Sequence, residues 1–221
     1  MKKKSKSALE QLLAIMARLR APNGCPWDRA QDHRTLRFHA VEEVYELLDA
    51  IEAGDDPELA EELGDLLLQI VFHAQMAKER GAFDFEAVCR LLVEKLIRRH
   101  PHVFGKVRDV DTAQAVWTQW DQIKKAEKAG SPAPRHSALD GIPKHLPALL
   151  RAEKLVKKAR KAGLLSPGPA RRSQLSKHEV AHRLFALAAY AQGRRWSAEE
   201  LLRAEARQVE RHLRRKERPL R

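Results

Sequence analysis

Glu42, Glu43 and Glu46 fall at i,i+3 and i,i+4 spacing, so a helix through them carries three carboxylates on one side. Glu62 and Asp65 repeat the i,i+3 spacing a short way on. Like charges so placed destabilise an isolated helix by about 0.2–0.5 kcal/mol per pair. A chain that sets them beside apolar residues needs positive charge between them, and a divalent cation answers that need. An all-carboxylate donor set suits a hard cation, Mg²⁺ or Mn²⁺, over zinc.

Two helices must bring these clusters together. Gly54-Asp55-Asp56-Pro57 reads as a helix-ending glycine, an N-cap aspartate and a first-turn proline, which ends one helix and starts the next. Glu46 precedes Gly54 by a helical distance of roughly 12 Å, and Glu62 and Asp65 follow Asp56 by roughly 9 and 14 Å. An antiparallel hairpin therefore sets both clusters at one level. The competing reading is a pair of solvated acidic faces. Against it, Leu66 to Ala77 holds no Asp, Glu, Lys or Arg, as a helix buried nearly all round would read. Leu59, Leu63, Leu66, Ile70, Ala74 and Ala77 form one stripe. Asp65, Gln69, Phe72 and Met76 form another, so Asp65 points along a face that soon becomes interior.

The pattern EExxE, a spacer, then ExxD resembles the MazG family of all-α nucleoside triphosphate pyrophosphohydrolases. Asn23-Gly24-Cys25-Pro26-Trp27-Asp28 is similar to that family's GCPWD signature. The segment from Arg98 to Phe104 resembles its RRHPHVF run, and Trp120 to Lys124 its WxxIK run. His136 to Asp140, with Ile142-Pro143 and Leu146 to Leu149, resembles the family's linker into a second repeat. The resemblance covers about residues 8–162. It implies hydrolysis of nucleoside triphosphates between the α- and β-phosphates, giving a nucleoside monophosphate and pyrophosphate. Spacing and resemblance together make Glu43, Glu46, Glu62 and Asp65 the metal ligands. Glu42 is left as a catalytic base or a second-metal ligand, with a solvated helix charge as the alternative. The resemblance also implies a homodimer, its hairpins paired into a four-helix core with the site near the subunit interface.

A triphosphate carries about four negative charges, which the site must neutralise. Lys95, Arg98 and Arg99 can share one helix face, and arginine forks suit phosphate. The alternative is a basic helix end complementing the macrodipole. On the resemblance, Trp120 stacks on a base and Lys124 reaches a phosphate; Trp117 reads as the core member of that tryptophan pair. Trp27 either caps the nucleotide pocket or staples the N-terminal loop. His100 and His102 read as structural.

The other features bound the class. The 221 residues include two cysteines, Cys25 and Cys89, which read as buried thiols rather than a disulfide framework. The stretch after Lys2-Lys3-Lys4 is interrupted by Glu10, Gln11, Arg18 and Arg20, so it makes no signal-peptide core, and no uncharged run suits a membrane span. A cytoplasmic protein is expected. Periodicity predicts an all-α helical bundle, with helices near 5–20, 33–53, 57–80, 84–99, 112–128, 145–162, 177–192 and 197–217. The expected organisation is a catalytic domain over 1–130, a linker with a helix over 131–170, and a second unit over 171–221.

Charge is unevenly spread. Residues 151–221 carry 20 Lys and Arg against 7 Asp and Glu, a balance of +13 that accounts for the whole chain's +12. This third also reads as a degenerate internal repeat. His178 to Leu184 lines up with Glu61 to Leu67, placing His182 at the position of Asp65, and no equivalent of the EExxE helix precedes it. A non-catalytic remnant is expected, with a weak, salt-sensitive nucleic-acid contact as a further partner. Two rival functions follow: an interaction protein with a vestigial site, and a pyrophosphohydrolase of narrower substrate such as a modified nucleotide or phosphoribosyl-ATP.

Overall fold

The chain is described by a computed structural model over residues 6–105, 107, 110–129, 137–166 and 175–217. Among these residues every regular element is a helix. In order they are α1 (Ala8–Leu19), α2 (Pro26–Ala30), α3 (His39–Ala53), α4 (Asp56–Glu79), α5 (Phe85–Arg99), α6 (Pro101–Phe104), α7 (Ala113–Ala129), α8 (Ala148–Lys161), α9 (Lys177–Gly193) and α10 (Ala198–Glu217). They fall into two compact units that divide between Val116 and Trp117.

In the first unit, α3 and α4 pack along each other, while α1 and α5 pack on α4. The turn between α3 and α4 follows the expected chemistry. Gly54 takes a left-handed φ of 69°, and the Asp55 side chain accepts from the Glu58 amide at 3.2 Å. Met16 of α1, Leu36, and Val71, Phe72 and Met76 of α4 make the core, with Leu12, Leu13, Leu68 and Phe85 against it. The burial of α4 is thus concentrated in its second half, where the charged residues stop.

Arg20 fixes the loop after α1 to the far end of α4. It makes a forked pair with Glu79, at 2.8 and 3.0 Å from Nε and 2.8 Å from Nη2, and it also donates to the carbonyls of Asp28 and Gln31. Its guanidinium lies 5.4 Å from the Phe72 ring centroid.

Several boundaries differ from the sequence reading. The helix expected from residue 33 begins at His39, because Asp32 folds the chain into a turn first. The Asp32 carboxylate accepts from the amides of Arg34 and Thr35 at 2.6 and 2.8 Å. Short helices α2 and α6 lie between the helices that periodicity predicts. Each has a proline in its first turn, and four or five residues are too few to show a period. Both cysteines are free and half-buried, where buried thiols were expected.

In the second unit α8 packs along α10, and α9 touches α10. Leu139, Leu155, Ala159, Leu164 and Leu213 form its core. The helix expected within the linker, α8, is therefore part of this folded unit, and Leu164 lies in its core rather than in a linker. The linker stretches 131–136 and 167–170 lie outside the described residues. A chain of charges ties the helices together: Arg151 pairs with Glu210, Glu210 with Arg214 at 2.7 Å, and Arg214 with Asp140 at 2.7 Å.

Candidate metal centre

Three of the predicted ligands converge. One carboxylate oxygen from each of Glu43 on α3 and Glu62 and Asp65 on α4 lies within 4.8 Å of the other two. All three side chains are half-buried. Glu43 sits three residues before Glu46 on α3, and it is Glu43 whose carboxylate closes on those of Glu62 and Asp65 across the hairpin. Glu46 is exposed and outside the trio, yet it is the strongest like charge acting on Glu62.

Like charges dominate the electrostatics of the trio. Burial raises the carboxyl of Glu43 above its ordinary value, and the charge of Asp65 adds to the rise. A hydrogen bond from Gln69 opposes it, and Glu46 and Glu42 raise it further. Glu62 is raised by burial and then by Glu46, Asp65, Glu43 and Glu61. Glu62 Oε2 is buried with no hydrogen-bond partner among the described residues. Converging hard oxygens, mutual repulsion and an orphaned buried acceptor together fit a divalent cation.

The remaining predicted residues occupy other places. Glu42 is exposed, with His39 Nδ1 3.6 Å from its carboxylate. Lys95, Arg98 and Arg99 lie in the last turns of α5, Lys95 and Arg99 half-buried and Arg98 exposed. His100 closes that helix, its Nδ1 2.7 Å from the Leu96 carbonyl, which agrees with a structural role. Trp120 and Lys124 belong to the second unit, where Lys124 Nζ lies over the Trp120 ring at 5.4 Å. Trp117 is 60% exposed, so it is not the core member of the pair; Trp120 is the more buried of the two. Trp27 is exposed, its ring edge-on to His39 at 6.4 Å. His182 stands exposed on α9.

Sequence reasoning assigned no role to two polar features beside the trio. Gln69, one turn past Asp65, donates from Nε2 to Glu43 Oε1 at 3.1 Å. One further turn along, His73 meets His33 with Nδ1 atoms 2.8 Å apart and the rings stacked at 5.1 Å. Burial, and then His33, lowers the affinity of His73 for a proton. One ring must donate and the other accept, so the pair ties the segment before α3 to α4 while at least one ring is neutral. The signal in the sequence is the i,i+4 run of polar residues Asp65, Gln69 and His73 through an otherwise apolar helix.

Residues 31–104 match the family model described as the MazG nucleotide pyrophosphohydrolase domain. All four proposed ligands and the α5 cations lie inside that match. A nucleoside triphosphate pyrophosphohydrolase of Escherichia coli K12 is 49% identical over 156 residues, covering 70% of this chain and 58% of that protein. A protein named nucleoside triphosphate pyrophosphohydrolase/pyrophosphatase MazG, from Thermotoga maritima, is 47% identical over 154 residues, covering 70% and 57%. This chain thus spans less than three fifths of either relative. An uncharacterised 26.1 kDa protein of Streptomyces cacaoi is 42% identical over 201 residues, covering 90% of this chain and 78% of its own length. The crystal structure of a MazG-related protein from Thermotoga maritima aligns with a TM-score of 0.44 and 28% identity, over 52% of this chain and 98% of that one. This chain belongs to the MazG family.

Proposed function

We propose that the chain hydrolyses nucleoside triphosphates between the α- and β-phosphates, releasing a nucleoside monophosphate and pyrophosphate. The observation that carries the reading is the convergence of Glu43, Glu62 and Asp65 within 4.8 Å. Mg²⁺, or Mn²⁺ in its place, is the proposed cofactor, held by these three with Glu46 as the fourth ligand. Such a cation, when bound, neutralises phosphate charge and acidifies water.

The chain's own residues do the rest. Lys95, Arg98 and Arg99 are the proposed partners of the β- and γ-phosphates, because their clustering gives a cationic helix end. Glu42, exposed beside the cluster, is the proposed base. Trp120 and Lys124 are proposed substrate contacts on the family resemblance.

A homodimer is the proposed assembly. Val44, Tyr45, Leu48 and Ile51 of α3, with Leu63 and Ile70 of α4, are 41–53% exposed in the single chain. A second copy would cover them. No described helix is long and apolar enough to cross a membrane, which is consistent with the proposed cytoplasmic location.

A weaker second activity has its own support. Arg207, Arg211, Arg215 and Lys216 of α10 are exposed and have no ion pair among the described residues. Arg207, Arg211 and Arg215, at i,i+4 spacing, make a basic stripe suited to a salt-sensitive contact with nucleic acid.

The test is a panel of nucleoside and deoxynucleoside triphosphates with Mg²⁺, Mn²⁺ or EDTA, separating pyrophosphate from orthophosphate. Pyrophosphate and monophosphate, abolished by EDTA, are expected. Orthophosphate and diphosphate as first products would overturn the bond assignment.

A further inference from the structure

Gln69 is 8% exposed, in a helix whose other buried residues are apolar. It is the one amide-bearing side chain buried on α4, and its two polar atoms are treated differently. Nε2 donates to Glu43 Oε1 at 3.1 Å, whereas Oε1 is buried and has no partner among the described residues. Packing alone would favour a leucine here, since an apolar side chain of this size leaves no acceptor unsatisfied. The helix retains an amide at the point where α3 presents a carboxylate.

We infer that Gln69 is a positioning residue for the metal centre: it holds Glu43 in the orientation that a divalent cation requires. The inference rests on the metal reading of the trio. It adds that the set of three is not self-sufficient. Glu62 and Asp65 share one helix and hold their relation by spacing, but Glu43 arrives from α3 and needs a tether across the hairpin. A ligating carboxylate whose second interaction is a hydrogen bond from the protein keeps one rotamer when the cation leaves and returns. The amide donor also offsets part of the repulsion on Glu43 without adding a competing charge.

The experiment is Mn²⁺ binding to the full chain in the absence of nucleotide, followed by calorimetry and by the paramagnetic resonance of free Mn²⁺. Gln69→Leu keeps the volume and removes the donor; Gln69→Asn keeps the amide but withdraws it by one methylene. Both should weaken Mn²⁺ binding by about 10- to 100-fold, the usual effect of removing an outer partner of a ligand. Their helical circular dichroism should be unchanged. Turnover by Gln69→Leu should recover toward the wild-type kcat as Mn²⁺ is raised, because the ligands themselves remain. Wild-type affinity in both folded variants would overturn the inference and leave Gln69 as packing. Should Gln69→Leu not fold, the Asn variant decides alone. A wild-type chain that binds no Mn²⁺ would remove the metal reading itself, and this inference with it.

Discussion

Replacing Asp65 by Asn should make the metal-free protein more stable and the metal-loaded protein less so. The substitution keeps the shape of the side chain and removes one charge from the crowded trio. Two unit charges 4.8 Å apart repel by ~0.9 kcal/mol in water-like surroundings and ~3.5 kcal/mol at a dielectric of about 20. Glu43 and Asp65 are half-exposed, which puts their repulsion near the lower figure. Metal-free Asp65→Asn should therefore gain about 1 kcal/mol, a rise in melting temperature of about 4 °C for a unit of this size. In the wild type, Mn²⁺ at about 100 times its Kd adds about 2.7 kcal/mol, or about 10 °C. The variant has lost a ligand and should respond little at the same concentration. Thermal melts in EDTA and in Mn²⁺ would thus rank the two proteins in opposite orders. The pH dependence follows the same sign. Glu43 and Glu62 have raised values, so their contribution to metal-free stability is present below the ordinary carboxylate range and lost as pH rises through the raised values. Asp65→Asn should flatten that loss. A variant less stable in EDTA, or one with the full Mn²⁺ response, would refute the argument, because Asp65 would then be a structural acceptor or a bystander.

Arg98→Ala and Arg99→Ala should each raise KM for a triphosphate and lower kcat, with circular dichroism unchanged; unaltered kinetics in the double variant would leave these residues as a complement to the helix dipole. Arg20→Met should reduce stability in urea by about 2–3 kcal/mol near neutral pH, since it breaks a forked pair and frees two carbonyls. The Arg20 hydrogen bond holds Glu79 below its ordinary value, so this contribution is present above the carboxylate range and lost as pH falls through the depressed value. The acid limb of the stability profile should accordingly be shallower in Arg20→Met. Leu213→Ala, at a side chain 1% exposed, should lower the stability of the second unit by about 2–5 kcal/mol; a change below 1 kcal/mol would mean that α8 and α10 do not share a core.

The parts of this fold that were legible in the sequence are those set by local chemistry. Gly54, Asp55 and Pro57 mark the hairpin turn because only a few residue types suit a left-handed end, an N-cap and a first turn. The uncharged run after Asp65 marks where α4 enters the core. Spacing also showed that the two acidic clusters would meet, since helical rise sets them within about a turn of one level. The expectation for Glu46 was less complete, because a hairpin's rotation about its axis decides which of two residues one turn apart faces inward. Nothing in local spacing supplies that rotation. Gln69 escaped assignment for a related reason: its role depends on what stands opposite it on α3. Trp117 and Trp120 have the same composition and neighbourhood, so which of them is buried is decided by tertiary packing.

The alignment of His178 to Leu184 with Glu61 to Leu67 is the ground on which we propose the second unit as a repeat that has lost its chemistry. On that reading α9 corresponds to α4, the position of Asp65 is taken by His182, and among the described residues no helix stands between α8 and α9. The metal centre proposed for the first unit takes its donors from both arms of a hairpin, Glu43 from α3 and Glu62 and Asp65 from α4. Among the described residues, Glu43, Glu62 and Asp65 are the one close cluster of three metal-binding side chains. The second unit is built on a packed pair of helices, α8 and α10, joined through Leu155 and Leu213 and through Arg151 and Glu210. Burial raises the carboxyl of Glu210, but hydrogen bonds from Arg214 and Arg151 outweigh that effect and hold it low. Its charge is thus committed to structure. On α10, Arg207, Arg211, Arg215 and Lys216 are exposed and have no ion pair among the described residues, so they can attract an anion but cannot position a cation.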